Sequence, residues 1–405
     1  MKKKKVKKWT KLRHRIFRNI LFFILAPVVW LKYHAKIKKY KDPQKRRQFL
    51  ILINHQTAFD QFFIGMAFKG PVYYLASEDL FSKGFISSII RYLVAPIPIK
   101  KQTTDIKAIM NCIKVAKEGG TIALAPEGNR TFSGKTGYMS PAVASLAKKL
   151  GLPVALMRIE GGYGVQPRWA NTVRKGKMTA YVSRVVEPEE YKSMTDEELF
   201  EIIENELYVD ESTLAGCFKH KKKAEYLERA MYVCPDCGLS TFESDANVIE
   251  CKKCGKQIEY LETKELKGVN CEFPFKFVSD WYDYQSSFIN SLDVTKMVDE
   301  PIYVDISSFS EVIPSKKKIK IEKNAKISLY GNKIIINGEK TNMEFNFDTT
   351  SAVTVLGRNK VNIYFDGRIY QLKGDKRMNG LKYVNIFNRY VNIKKGDTNG
   401  KFLGL

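Results

Sequence analysis

Two copies of Cys-Xaa-Xaa-Cys-Gly, CPDCG at residues 234–238 and CKKCG at residues 251–255, constrain this chain more sharply than any other stretch. Thirteen residues separate Cys237 from Cys251. Each pair is a tight knuckle whose glycine frees the backbone to wrap an ion, and four thiolates suit a tetrahedral zinc. Four protein sulfurs leave no open coordination position, so Cys234, Cys237, Cys251 and Cys254 are read as a structural site. Redox pairs are the alternative, although a redox motif would not be doubled in this way. Cys112, Cys217 and Cys271 are scattered, and nothing resembles the disulfide framework of a secreted chain.

At 405 residues the chain is long enough for two or three domains, and 44% hydrophobic with 27% charged residues describes a globular protein. The formal charge of +25 is unevenly placed. Residues 1–49 carry eighteen Lys and Arg against the single acidic Asp42, leaving the other 356 residues with only +8. Within this basic end an uninterrupted apolar run, residues 20–31, is twelve residues long. Spanning a bilayer takes roughly 20, and Pro27 argues against a straight helix. Trp9, Trp30 and Tyr33 suit the headgroup level. The segment therefore reads as dipping into one leaflet, held by lysines against anionic lipid. A secretory signal is the rival, but no small-residue cleavage site follows Leu31. A nucleic-acid tail is the other, and Phe22, Phe23, Val28, Val29 and Trp30 need burial that RNA does not offer.

From Gln48 to about Leu207 short apolar runs alternate with amphipathic stretches, an α/β pattern. FLILIN, PVYYLA, TIALA, LPVALMRI and MTAYVSRVV are strand candidates. The clearest helix, TTDIKAIMNCIKVAKEGG, has Thr104 to cap it and Gly119-Gly120 to end it. Thr195 and Glu198 open another in capping-box spacing. The Lys-rich FKHKKKAEYLERAMY reads as a linking helix. From about Ser279 a possible helix is followed by alternating segments with GN, GRN and DG hairpin turns, and then a closing helix.

ILINHQTAFDQFF, residues 51–63, places a carboxylate five positions after a histidine. Five steps of roughly 100° put the two on different faces of a regular helix. The alternative is that His55 stands in a strand-to-helix turn while Asp60 sits in the first helical turn, with Thr57 as N-cap. Asp60 could then accept a proton from one ring nitrogen, fix the tautomer and leave the other nitrogen as a base. Taken alone, the pair reads more commonly as a satisfied surface group. Downstream, LAPEGNRTFSG runs a strand into Glu127, Gly128 and Arg130. Glycine permits close backbone approach and arginine offers a planar fork for phosphate; a solvated Glu-Arg turn is the plainer reading. Lys100 and Lys101 end another strand candidate, APIPIKK.

In combination these stretches resemble the glycerolipid acyltransferase family, which includes the lysophosphatidate acyltransferases. The family's Asn-His-x-Ser-x-x-Asp matches NHQTAFD, with Thr57 for serine. Its Ile-x-x-Arg-like strand end resembles IPIKK, where lysine keeps the charge but loses the bidentate fork. Its Phe-Pro-Glu-Gly-Thr-Arg-Ser matches APEGNRT at Pro126, Glu127, Gly128 and Arg130. Its Val-Pro-Val-x-Pro strand is half present in LPVALM, with Leu156 where a second proline is common. The likeness covers roughly residues 20–207. It implies that His55 is the general base, that Asp60 orients it, and that an acceptor hydroxyl attacks a thioester carbonyl without an acyl-enzyme. It implies that Arg130, with Lys100 or Lys101, holds the acceptor's phosphate, while Glu127 and Gly128 shape the same wall. The co-substrate would be acyl-CoA or acyl-carrier protein, and the acceptor lysophosphatidate. Glycerol 3-phosphate, another lysolipid, or an inactive lipid-binding scaffold are the rivals.

The cysteine pairs resemble a zinc ribbon, here without an aromatic-basic face for nucleic acid, and the last segment has a pattern similar to pleckstrin-homology-like barrels. The expected architecture is an α/β acyltransferase domain, a central sheet flanked by helices, with four appended parts. These are a membrane-associating segment (1–40) before the acyltransferase domain (41–208), then a linker helix (209–232), the zinc ribbon (233–260) and a small β-rich domain (275–405). The expected setting is the cytoplasmic face of the cell membrane, peripheral or monotopic, with an anionic surface as partner and a protein partner open for the C-terminal modules. Nucleic acid is not an expected partner.

Overall fold

The apolar runs of the first half become strands of one sheet. The computed structural model describes residues 8–45, 47–82, 84–99, 105–313, 317–397 and 400–404. It divides into two compact units, Met1–Val165 with Lys175–Gly216, and Gln166–Arg174 with Cys217–Leu405. In the first unit, α1 (Leu12–Tyr33) leads to β1 (Ala35–Ile37), β2 (Leu50–Ile53), α2 (Asp60–Ala67), β3 (Val72–Ser77) and α3 (Phe85–Leu93). Then come β4 (Ile97–Ile99), α4 (Ile106–Lys117), β5 (Thr121–Leu124), α5 (Ala142–Leu150), β6 (Val154–Glu160), one-turn α6 (Gly162–Val165), β7 (Met178–Val186), one-turn α7 (Pro188–Tyr191) and α8 (Asp196–Leu207).

The strand order is β1–β7–β6–β2–β5–β3–β4. Every neighbouring pair is parallel except β6 with β7. All four residues of β2 are buried, as expected of a central parallel strand covered on both faces. Cys112 and Val115 of α4, Ala144 and Ala147 of α5, and Leu199 and Ile203 of α8 close one core with Leu50, Ile122 and Val154. Thr195 and Glu198 form the expected capping box of α8, each side chain bonded to the other's backbone N–H. Asp105 caps α4 through the Ala108 amide, 3.0 Å; Thr104, expected there, lies outside the described residues.

Two expectations change. The helix is longer than the twelve-residue apolar run and is not broken at Pro27: α1 extends for 22 residues, Leu12–Tyr33, through that run. Proline removes one ladder bond, but both Pro27 and Phe23, whose carbonyl loses its partner, are exposed. The Lys-rich linking helix is absent. That stretch contains only a 3-10 turn, Leu227–Arg229, and every residue from 227 to 234 is buried. A run buried all round cannot be a surface helix with one solvated face. The Tyr232 and Val233 amides instead donate to Gln285 Oε1, at 2.8 and 3.2 Å.

The second unit opens with a two-stranded pair, β8 (Val233–Cys234) and β9 (Gly238–Leu239). An antiparallel meander follows: β10 (Phe242–Asp245), β11 (Val248–Cys251), β12 (Gln257–Tyr260) and β13 (Leu266–Gly268). Residues 166–174 belong to this unit because Trp169 packs edge-on against Tyr260, ring centroids 5.6 Å apart, with the Arg174 guanidinium against both rings. After α9 (Val278–Ser291) come β14 (Tyr303–Val312), β15 (Lys318–Leu329), β16 (Lys333–Asn337), β17 (Asn342–Asn346), β18 (Thr350–Leu356), β19 (Lys360–Phe365), β20 (Arg368–Gly374) and α10 (Leu381–Lys394). Their order is β17–β16–β15–β14–β20–β19–β18, all antiparallel. The sheet curls into a half-barrel, bringing Phe345 of β17 within 5.3 Å of Phe365 of β19 between ring centroids. Phe387 and Tyr390 of α10 close it against Phe347. This is the small β-rich domain with a closing helix that the hairpin signals describe.

Candidate active site and a four-cysteine cluster

The candidate site lies just past the carboxyl ends of β2 and β5, which are parallel neighbours in register at Leu52 and Leu124. Crevices at carboxyl ends of parallel strands are where α/β sheets bind ligands. His55 follows β2 by two residues and Asp60 is the first residue of α2. The two therefore sit in a strand-to-helix turn. His55 Nδ1 lies 2.7 Å from Asp60 Oδ2. That oxygen also accepts the Gln56 and Thr57 amides, while Oδ1 accepts from Thr57 Oγ1 at 2.6 Å. A carboxylate so placed is an acceptor, so Nδ1 carries the ring proton and Nε2 keeps its lone pair. Asp60 is buried, yet the His55 side chain remains 27% exposed.

The helix begins later than Thr57 suggests. Phe59 precedes α2, and Thr57 Oγ1 accepts the Phe59 amide at 3.0 Å inside the turn. The turn is organised by the Asp60 carboxylate rather than by the threonine hydroxyl, because a charged acceptor binds several donors more strongly.

Glu127 is half-buried, with its carboxyl turned onto two amides: His55 N to Oε1 at 2.6 Å and Gly137 N to Oε2 at 2.7 Å. Thr131 N donates in turn to His55 O, 3.3 Å. The loop from Glu127 to Thr131 thus grips the histidine backbone from both sides, with Arg130 between its anchors. Gly128 has φ +66°, a conformation that side chains rarely adopt. Lys100 and Lys101 lie outside the described residues.

Burial pushes the Glu127 carboxyl up from 4.5 to about 8, against the pull of its two amide donors and helped by the nearby Asp60 charge. A group that binds its proton more tightly when folded contributes stability that is complete below its unfolded pKa and is lost as pH rises through the folded one. Wild type should therefore lose stability relative to Glu127→Gln between about pH 5 and pH 8, with a slope approaching one proton per chain. Urea midpoints of both proteins across that window test this; parallel curves would refute it.

The sequence did not announce one clamp. Asn54, fully buried, holds β2 to β6 through both ends of its amide: Nδ2 donates to Ile159 O at 2.9 Å and Oδ1 accepts Ile159 N at 2.7 Å. Its place directly before a candidate histidine was the available signal.

Residues 34–160 match the family model described as Acyltransferase. This segment is an acyltransferase-family domain. No curated protein matches the chain. Among solved structures, the chain is similar to the crystal structure of the 1-acyl-sn-glycerophosphate (LPA) acyltransferase PlsC from Thermotoga maritima. That match has 23% identity over 48% of this chain and 79% of that one, with a TM-score of 0.39. It is also similar to the solution structure of the N-terminal PH domain of human ARAP2, at 14% identity over 24% of this chain and 88% of that one, TM-score 0.20. The acyltransferase domain holds His55, Asp60 and Glu127 in one hydrogen-bonded group, and Arg130 on the loop that group anchors.

In the second unit the sulfurs of Cys234, Cys237, Cys251 and Cys254 lie within 4.8 Å of one another. Tetrahedral thiolate coordination with metal–sulfur bonds of about 2.3 Å spaces sulfurs about 3.8 Å apart. Cys234 Sγ and Cys254 Sγ are 3.8 Å apart. Gly238 and Gly255 take φ +67° and +72° at the two knuckles. The cluster could hold a metal ion; Cys217 and Cys271 stand outside it.

Proposed function

We propose that the acyltransferase domain transfers a fatty acyl group from acyl-CoA or acyl-carrier protein to the free hydroxyl of lysophosphatidate, making phosphatidate at an anionic membrane surface. His55 Nε2 takes the hydroxyl proton as the oxygen attacks the thioester carbonyl. Collapse of the tetrahedral intermediate breaks the carbon–sulfur bond, and the proton passes to the departing thiolate. Asp60 fixes the tautomer and stabilises the imidazolium formed in between. Arg130, with Lys100 or Lys101, would hold the acceptor's phosphate. Glu127 and Gly128 set the wall that holds it, Glu127 by gripping the histidine backbone. The reading is carried by the His55–Asp60 hydrogen bond inside a domain of this family. Between α1, α2 and α3, a pocket lined by Phe17, Leu21, Leu25, Phe62, Met66 and Leu93 gives an apolar chain room beside α2, the helix that carries Asp60.

The four cysteines would hold a structural zinc, whose chemistry is to tie two knuckles together rather than to react. The setting would be the cytoplasmic face of the cell membrane, peripheral or monotopic. For the half-barrel, a protein partner remains part of the proposal.

Acyl transfer is measured on anionic vesicles with lysophosphatidate, glycerol 3-phosphate and monoacylglycerol as acceptors. Lysophosphatidate should be preferred, and Arg130→Ala should raise its KM about tenfold or more, the loss of one charge-assisted pair, with less effect on monoacylglycerol. Preference for glycerol 3-phosphate would move the proposal to that acceptor. Inactivity with every thioester and acceptor would leave a lipid-binding scaffold.

A further inference from the structure

Helix α1 is long and apolar enough to cross a membrane by length and composition, but it is tied along its whole length to its own domain. Just before it, the Trp9 and Thr10 amides donate to Glu118 Oε2 at 2.7 and 2.8 Å, and Trp9 Nε1 donates to Ala95 O at 2.9 Å. Midway, Arg18 Nη2 donates to the Gly65 and Phe68 carbonyls, both at 2.6 Å. At the far end, Tyr33 packs on Phe59, centroids 4.7 Å apart. A helix held this way lies along the domain and does not project from it.

Its outward face is apolar from end to end. Leu12, Ile16, Ile20, Phe23, Ile24 and Leu31 are 49–77% exposed, at the spacing of one helical stripe. Helix α3 presents a second such stripe: Phe85, Ile86, Ile89 and Tyr92, 41–79% exposed. The two meet where Arg13 of α1 donates to Tyr92 O at 2.8 Å and lies 3.8 Å over the Tyr92 ring. Ten large apolar side chains on two touching helices exceed the scattered exposure that a soluble surface tolerates.

We infer that α3 is a second membrane-inserting element, whose Phe85–Ile86–Ile89–Tyr92 face enters the same leaflet as the outward face of α1. This rests on the membrane setting proposed above. Charge selects the occupant. Residues 1–41 contain no Asp or Glu, α3 contains none, and α1 carries Arg13, Arg15, Arg18 and Lys32. An apolar platform built from two helices whose own charges are all cationic fits an anionic lipid surface. The pocket between α1, α2 and α3 is walled by both inserting helices, so a lipid tail can reach it without crossing water.

The test is partition of the full chain onto phosphatidylglycerol–phosphatidylcholine vesicles, with the triple variant Phe85→Ser/Ile86→Ser/Ile89→Ser beside wild type. All three side chains are exposed, so the fold should persist, and a thermal melt of each protein checks it. The variant's partition should fall by roughly 10- to 100-fold with wild type remaining monomeric in the absence of lipid. Equal binding by variant and wild type would overturn the role of α3 and leave the membrane setting standing. No binding by wild type would overturn both. A lipid-free dimer of wild type that the variant dissolves would reassign the face to a second copy of the chain.

Discussion

Replacing His55 with alanine will lower kcat/KM for acyl transfer by about 10²–10⁴-fold, the usual worth of a positioned general base, without unfolding the domain. The side chain is 27% exposed, so its loss opens no core cavity. What the fold needs from position 55 is its backbone, whose N–H and C=O bind Glu127 and Thr131 in any residue. Asp60→Asn should behave differently. The native carboxylate accepts from His55, Gln56 and Thr57 together, and it is buried. An amide presents one acceptor and two donors, so a turn amide faces an N–H. That variant should lose activity and also about 1–3 kcal/mol of stability. Steady-state kinetics with thermal denaturation of both variants separates the two effects. Full activity in His55→Ala would end the general-base assignment.

Removing metal from the cysteine cluster should undo the knuckle region. Structural zinc contributes about 10–16 kcal/mol in zinc-finger peptides, as much as holds a whole domain folded. Cys234 and Cys251 are fully buried, so a serine in either place would remove a thiolate ligand from the closed side of the cluster. Wild type should contain one zinc per chain by elemental analysis. Stripping it with a strong chelator, or introducing Cys251→Ser, should open residues 234–270 to limited proteolysis, and added zinc should restore protection in wild type alone. Cys271→Ser, outside the cluster, should keep its zinc. A metal-free chain with unchanged protease resistance would refute the zinc reading.

Much of the framework is legible in the amino-acid sequence alone. Strands β2, β5, β6 and β7 coincide with apolar runs, because a buried strand shows itself in consecutive residues. The α8 capping box and the two cysteine knuckles are likewise local. Even the turn holding His55 and Asp60 is one of the two arrangements that a five-residue spacing leaves open. Those features depend on bonds between residues close in the chain, so the order of side chains alone determined them.

Other features depend on partners far away. Glu127 reaches His55 across 72 positions and Asn54 reaches Ile159 across 105; neither pairing has a local signature. Strands β1 and β14 have partners in distant parts of the chain, and residues 166–174 join the second unit through Tyr260. The helix expected over the Lys-rich stretch gave way to an irregular run whose end, residues 227–234, is buried on all sides, and α1 continued through Pro27 because that turn faces outward. Sequence determined which segments could be strand, turn or knuckle. Tertiary structure decided which of them meet, because burial and long-range hydrogen bonds outweigh local propensity once the chain is closed on itself.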